Sequence, residues 1–134
     1  HMDKIKLMSI GKKKPKAENL NSWSKTVERY APDLYDLFYG AGEKDSFKKV
    51  AELQPEIVLL LYVAEDGNLE YGMQLVKEIK QLSPKTMIFV TFDVLDAQED
   101  VFDEYIGCGA MKCYTSPVSM EALFHDMYVA LNME

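Results

Sequence analysis

The sequence predicts a three-layer α/β domain in which five parallel strands alternate with five helices. Two observations carry this. Near-continuous apolar runs of strand length occur at Ile57 to Ala64 and at Met87 to Val90, which fits strands buried on both faces. Between such runs, apolar residues recur at helical spacing in stretches closed by Pro or Gly. Strands of this kind need helices on both faces, and right-handed crossovers then give a doubly wound parallel sheet.

The elements follow in order. Lys4 to Ile10 sets Ile5 and Leu7 against polar Lys6 and reads as a first strand. A basic cluster of Lys12, Lys13, Lys14 and Lys16 surrounds Pro15; it is either a phosphate or acidic-lipid patch or a solvated loop. From Ala17, Leu20, Trp23, Val27 and Tyr30 form one helical stripe ended by Pro32, with Trp23 and Tyr30 expected in the core. Leu34 to Tyr39 reads as a second strand, and Gly40-Ala41-Gly42 as a turn after it. That glycine pair makes a poor phosphate cradle, since no third glycine follows at the required spacing. Asp45 or Ser46 is expected to cap a short helix carrying Phe47, Val50 and Leu53, ended before Pro55.

Glu56 to Val63 is the expected central strand, emptying into an acidic, Gly-containing loop. Met73, Leu75, Val76, Ile79 and Leu82 fit a third helix closed by Ser83-Pro84, and Lys85 to Phe92 a fourth strand. Asp96 is expected to cap a fourth helix carrying Ala97, Val101, Phe102, Tyr105 and Ile106, stopped by Gly107 and Gly109. Ala110 to Thr115 is a fifth strand. Ser119 caps a last helix with the stripe Met120, Leu123, Phe124, Met127 and Leu131.

Composition narrows the function classes. A chain of 134 residues, 48% hydrophobic, buries one ordinary core, so a single domain over 3–134 is expected, with His1-Met2 as a cloning remnant and the whole a possible fragment of a longer regulator. The net charge of -7 argues against a large nucleic-acid footprint. The longest apolar run is too short to span a bilayer, and the N-terminus lacks the pattern of a secretion signal. Cys108 and Cys113 have no Cys or His companions at metal-ligand spacing, so both are expected as reduced thiols in a cytoplasmic protein, with no metal and no cofactor.

The order and local phrases resemble the receiver domain of bacterial two-component response regulators, CheY-like, over essentially the whole chain. PEIVLLL at 55–61 is similar to that family's third strand. GCGAMKCYTSPVSMEAL at 107–123 is similar to its fifth strand and last helix, with Pro117 where a Lys-Pro peptide would lie, and Thr91 stands where the family carries its switch Thr or Ser. The resemblance implies a flavodoxin-like sheet in strand order 2-1-3-4-5.

It also implies where the family's phosphoryl chemistry would sit, and there the sequence departs from the pattern. The phosphoacceptor Asp falls on Leu61. The acidic pair that holds Mg²⁺ falls within Ser9, Ile10 and Gly11. The Lys before the Pro is Ser116, and the switch aromatic is Cys113, with Tyr114 one place further on. Only Thr91 matches. Phosphoryl transfer to a side chain needs a nucleophilic carboxylate and cations for the developing charge, and leucine supplies no nucleophile. A lone lysine in such a pocket would be a poorly paired, partly buried charge, so loss of all the charged groups together leaves a stable neutral pocket. The expectation is a pseudo-receiver, not an enzyme, that is not phosphorylated by the usual route.

Displaced acids at Glu65, Asp66, Glu70 and Asp93 are the candidates for rescuing that chemistry. Asp66 is five residues beyond Leu61, at about 3.3 Å of extended chain per residue, so it lies outside the pocket unless the loop folds back. Ser9, Thr91 and Ser116 either bind a small polar ligand in the vacated pocket or satisfy one another and water. His125, on the last helix, gives serine catalysis no support. The resemblance finally implies a partner face on helix four, strand five and helix five, where the spacing sets Phe102, Ile106, Lys112, Ala122 and Asp126; Phe102 and Ile106 are equally readable as core. A second copy or another protein would dock there, or the domain would sense a ligand through its neutral pocket.

Overall fold

The structure is a computed structural model that describes residues 3–61, 69–93 and 99–132. Strands and helices alternate throughout: β1 Ile5–Gly11, α1 Ala17–Tyr30, β2 Tyr35–Ala41, α2 Gly42–Leu53, β3 Ile57–Leu60, α3 Leu69–Leu82, β4 Met87–Phe92, α4 Glu99–Cys108, β5 Lys112–Thr115 and α5 Met120–Asn132. All pairings are parallel and the strand order is β2-β1-β3-β4-β5, as expected.

Every residue of β3 and β4 is buried, so both faces of the sheet require helical cover. Side chains alternate between the faces with the strand period of two. On one face Met8, Ile10, Val58, Leu60, Ile88, Val90 and Phe92 pack with Val50 of α2, Val76 and Ile79 of α3 and Tyr105 of α4. On the other, Leu7, Ile57, Leu59, Met87 and Phe89 pack with Val27 of α1 and Leu123, Phe124 and Met127 of α5. No helix among the described residues is long and apolar enough to cross a membrane.

Local differences from the expected elements have physical causes. Of the expected Glu56–Val63 run, Ile57–Leu60 forms the strand, Glu56 and Leu61 flank it, and Tyr62 and Val63 lie outside the described residues. Glu56 is used otherwise: its carboxylate accepts the Lys6 backbone N–H at 3.2 Å and its carbonyl that of Met87 at 2.9 Å. Tyr62 to Asn68, with most of the acidic loop, lie outside the described residues, as do Asp96 and Ala97. α3 starts at Leu69, so Glu70 and Gly72 are helical. α4 continues through Gly107, and the chain turns at Gly109, whose φ of +121° suits glycine.

The Gly40–Gly42 stretch is not a turn. β2 runs to Ala41 and α2 begins at Gly42, with the Asp45 carboxylate accepting the Ala41 backbone N–H at 3.0 Å from inside the helix. Ser46 is buried against Gly40, where an added Cβ would stand 2.4 Å from Ser46 Oγ and 2.7 Å from Met8 Cε. Gly40→Ala is therefore expected to cost about 1–3 kcal/mol by overpacking, measured by denaturant unfolding. Ser119 caps α5 as expected, its Oγ accepting the Ala122 N–H at 3.2 Å. Trp23 is half-buried, and Tyr30 is 40% exposed with its ring stacked on Phe124 at 5.5 Å, so it covers the core rather than entering it.

Candidate functional site

In an open parallel sheet, the carboxyl ends of the strands form the edge where side chains from several elements converge. β1 brings Ser9, Ile10 and Gly11 to this edge. Ser9 and Ile10 are both buried but on opposite faces: Ile10 belongs to the cluster covered by α2–α4, and Ser9 lines a cleft on the α1 side. Leu61, just past β3, donates its N–H to the Ile10 carbonyl at 3.0 Å; its half-buried side chain packs against the α1/α5 cluster. Thr91 is buried on β4 and its hydroxyl donates to the Leu60 carbonyl at 3.3 Å. Ser116 is half-buried, with its N–H donating to the Phe92 carbonyl at 2.8 Å and a cis peptide to Pro117.

The three hydroxyls do not form one group. β3 lies between β1 and β4, so Ser9 and Thr91 are about 10 Å apart across the sheet. The register also matches Ser9 with Leu59 and Phe89, two places before Thr91. Asp93 is half-buried just beyond β4, Glu70 is exposed in the first turn of α3, and Glu65 and Asp66 lie outside the described residues. Among the described residues no cluster of three His, Cys, Asp or Glu side chains is arranged to hold a metal ion. The donor set of Ser9, Ile10, Gly11, Leu61 and Thr91, two hydroxyls and otherwise hydrocarbon or hydrogen, does not fit Mg²⁺, which takes near-octahedral oxygen ligands anchored by carboxylates.

β5 is one of the sheet's two edge strands, flanked by α4 and α5. Cys113 and Tyr114 face opposite sides. Cys113 is buried on the α4 side, its Sγ 3.9 Å from the Phe102 carbonyl, and burial pushes its thiol up to about 12. Tyr114 packs on the α5 side and donates its hydroxyl to Asp126 Oδ2 at 2.7 Å; the Lys112 ammonium donates to the same oxygen at 2.8 Å. Burial, then the Asp126 hydrogen bond and charge, raise the Tyr114 hydroxyl, while Lys112 chiefly, with Tyr114, holds Asp126 below the usual carboxylate range. Both cysteines are free thiols.

This clamp has a pH signature. A carboxyl lowered on folding stabilises the protein above its unfolded value near 4, and that contribution is lost as pH falls through the lower folded value. Asp126→Ala is expected to cost about 1–2 kcal/mol around neutral pH, with the difference from wild type shrinking below about pH 4, as read from urea unfolding across pH.

The remaining face residues separate by exposure. Phe102 is half-buried, its ring stacked on Phe92 at 5.3 Å, so it serves the core. Ile106 is 47% exposed, and Met111 and Val129, which sequence reasoning missed, are 49% and 41% exposed. Ala122 is exposed, and with Asp126 and Val129 it occupies one stripe of α5 at i, i+4 and i+7 spacing. Ile106 near the end of α4, Met111 just before β5 and Val129 near the end of α5 thus flank the amino end of β5. The stripe was the usable signal for Val129; Met111 had none.

Solved structures with a similar fold include response-regulator receiver domains. A response regulator from Thermotoga maritima superposes with a TM-score of 0.75 at 14% identity, over 96% of this chain and 98% of that one. The receiver domain of NtrC4 from Aquifex aeolicus gives 0.71 at 20% identity, over 96% and 97%. The solution structure of the beryllofluoride-activated NtrC4 receiver domain dimer gives 0.73 at 20% identity, over 96% and 97%. No family model matches the sequence, and no curated protein matches it. At such identities the likeness establishes the fold, a five-stranded receiver-type α/β domain.

Proposed function

We propose that this is a receiver-like signalling domain that works as a protein-protein interaction module, without an aspartyl-phosphate trigger. One observation carries the reading: at the tip of β3, where the resemblance sets a phosphoacceptor carboxylate, stands Leu61, half-buried in hydrocarbon. The surrounding donors support it, because Ser9, Ile10 and Gly11 offer no carboxylate for Mg²⁺ and Ser116 no ammonium for a phosphoryl group. No catalytic step is assigned.

The output side is the face of α4, β5 and α5. Ile106, Met111 and Val129 supply exposed apolar surface beside an edge strand, and the Lys112–Asp126–Tyr114 clamp fixes β5 against α5. A similar receiver, NtrC4, forms a dimer in its beryllofluoride-activated state, so a second copy of this chain is the first partner to test. In this reading the domain acts within signal transduction or transcription regulation in the cytoplasm, and partner binding itself selects the arrangement of the face. Sedimentation equilibrium over a wide concentration range is expected to show self-association, weakened about tenfold or more by Ile106→Glu, since a charge would be desolvated at the contact. A wild type that stays monomeric throughout contradicts self-pairing.

A further inference from the structure

Ser9 lines a cleft on the α1 side of the sheet that no part of the interaction reading uses. The cleft has a volume of about 200 Å³ and lies between the first turns of α1 and the carboxyl ends of β1, β2 and β3. Its walls include Leu20, Leu59, Leu61 and the Trp23 indole, and Lys13 and Asn19 stand exposed among its lining. Two buried polar atoms of lining residues, Ser9 Oγ and Trp23 Nε1, have no hydrogen-bond partner among the described residues. Ser9 is only 5% exposed. Buried polar groups in folded proteins are paired in all but a few cases; of the four such orphans among the described residues, Ser9 Oγ and Trp23 Nε1 belong to the lining of this one apolar cleft, while Tyr35 Oη and Ser46 Oγ do not.

The chemistry of the lining defines the ligand. Trp Nε1–H only donates, and the Ser hydroxyl donates as well as accepts, so the pair is complementary to an acceptor such as a carboxylate or carbonyl oxygen. A cavity of about 150 Å³ takes benzene, so about 200 Å³ suits one ring with a small substituent. Lys12, Lys13, Lys14 and Lys16 carry four positive charges in the segment next to the cleft, favouring a negative ligand in a chain whose net charge is -7. From this combination we infer that the cleft between α1 and β1–β3 binds a small one-ring organic carboxylate, with its oxygens on Ser9 and Trp23 and its charge toward Lys13. The basic loop then becomes part of a binding site rather than a merely solvated connection. This site is distinct from the three-hydroxyl pocket expected from sequence, since Thr91 is spent on the Leu60 carbonyl.

Trp23 is the chain's sole tryptophan, so its indole N–H gives one resolvable NMR signal and its fluorescence reports on the cleft alone. The probe is benzoate, with benzamide as its uncharged counterpart. Benzoate is expected to shift the indole N–H signal saturably, with a dissociation constant in the range of about 0.1–10 mM for so small a molecule. Ser9→Ala should weaken benzoate about tenfold while leaving the thermal midpoint unchanged or higher, because it removes a buried unpaired hydroxyl. Lys13→Gln should weaken benzoate several-fold and leave benzamide unaffected. Absence of a saturable shift overturns the inference, as does saturable binding that neither substitution changes, or equal affinity for benzamide and benzoate. These outcomes are independent of whether the β5 face pairs with a second copy.

Discussion

Replacing Tyr105 by alanine is expected to lower the unfolding free energy by about 3–5 kcal/mol. Tyr105 is fully buried, meets the Phe92 ring edge-on at 4.8 Å and donates its hydroxyl to the Leu69 carbonyl at the start of α3. It therefore ties α4 both to the sheet and to α3. Truncation leaves a cavity beneath α4 and loses the hydrogen bond that joins α4 to α3, two penalties with separate causes. Tyr105→Phe keeps the ring and loses only the hydrogen bond, so it should cost about 1 kcal/mol. A loss below about 1 kcal/mol for the alanine variant in denaturant unfolding would mean that α4 is not anchored in this way. Since α4 forms one side of the β5 face, the same variant should also impair self-association.

Leu61→Asp is the second large effect, and it separates a lost acceptor from a lost site. The substitution places the carboxylate where the resemblance puts a phosphoacceptor. It removes apolar surface packed against the α1/α5 cluster and half-buries a charge beside Ser9 and Ile10, with the exposed Lys12 and Lys13 of the adjoining lining offsetting only part of the cost. The expected cost is about 2–4 kcal/mol at neutral pH, decreasing as the pH falls and the new carboxyl protonates. The variant is also expected to remain unphosphorylated, because restoring the nucleophile supplies neither the metal-holding acids nor the lysine.

Much of the fold was legible because burial dominates the strand sequences. IVLL is apolar throughout and MIFVTF is broken only by Thr91, which only a sheet covered on both faces accommodates, and the stripes of α1, α3 and α5 mark their helices unambiguously. What was not legible depended on contacts between distant segments. Gly40 read as a turn residue because the sequence does not show Ser46 packing onto its α-carbon. The edges of β3 at Glu56 and Leu61 were not legible because an apolar run does not record where its neighbours stop pairing.

The candidate site was legible in its membership and not in its grouping. Ser9, Thr91 and Ser116 were expected around one pocket, yet β3 stands between the strands of Ser9 and Thr91, which share a face of the sheet, and hydrogen bonding commits Thr91 to the backbone. The alternation itself was readable in Leu7-Met8-Ser9-Ile10, and it pairs Ser9 with Leu7 rather than with Ile10. At β5 the same rule correctly puts Cys113 and Tyr114 on opposite faces, so Tyr114 serves the α5 clamp while Cys113 packs under Phe102.

The most direct test of a receiver fold without its phosphoryl chemistry is intact-mass spectrometry of the wild type after incubation with a small phosphodonor and Mg²⁺. The predicted result is an unchanged mass, for the wild type and for Leu61→Asp alike. A phosphoryl adduct on the wild type that hydroxylamine removes, the mark of an acyl phosphate, would contradict the account.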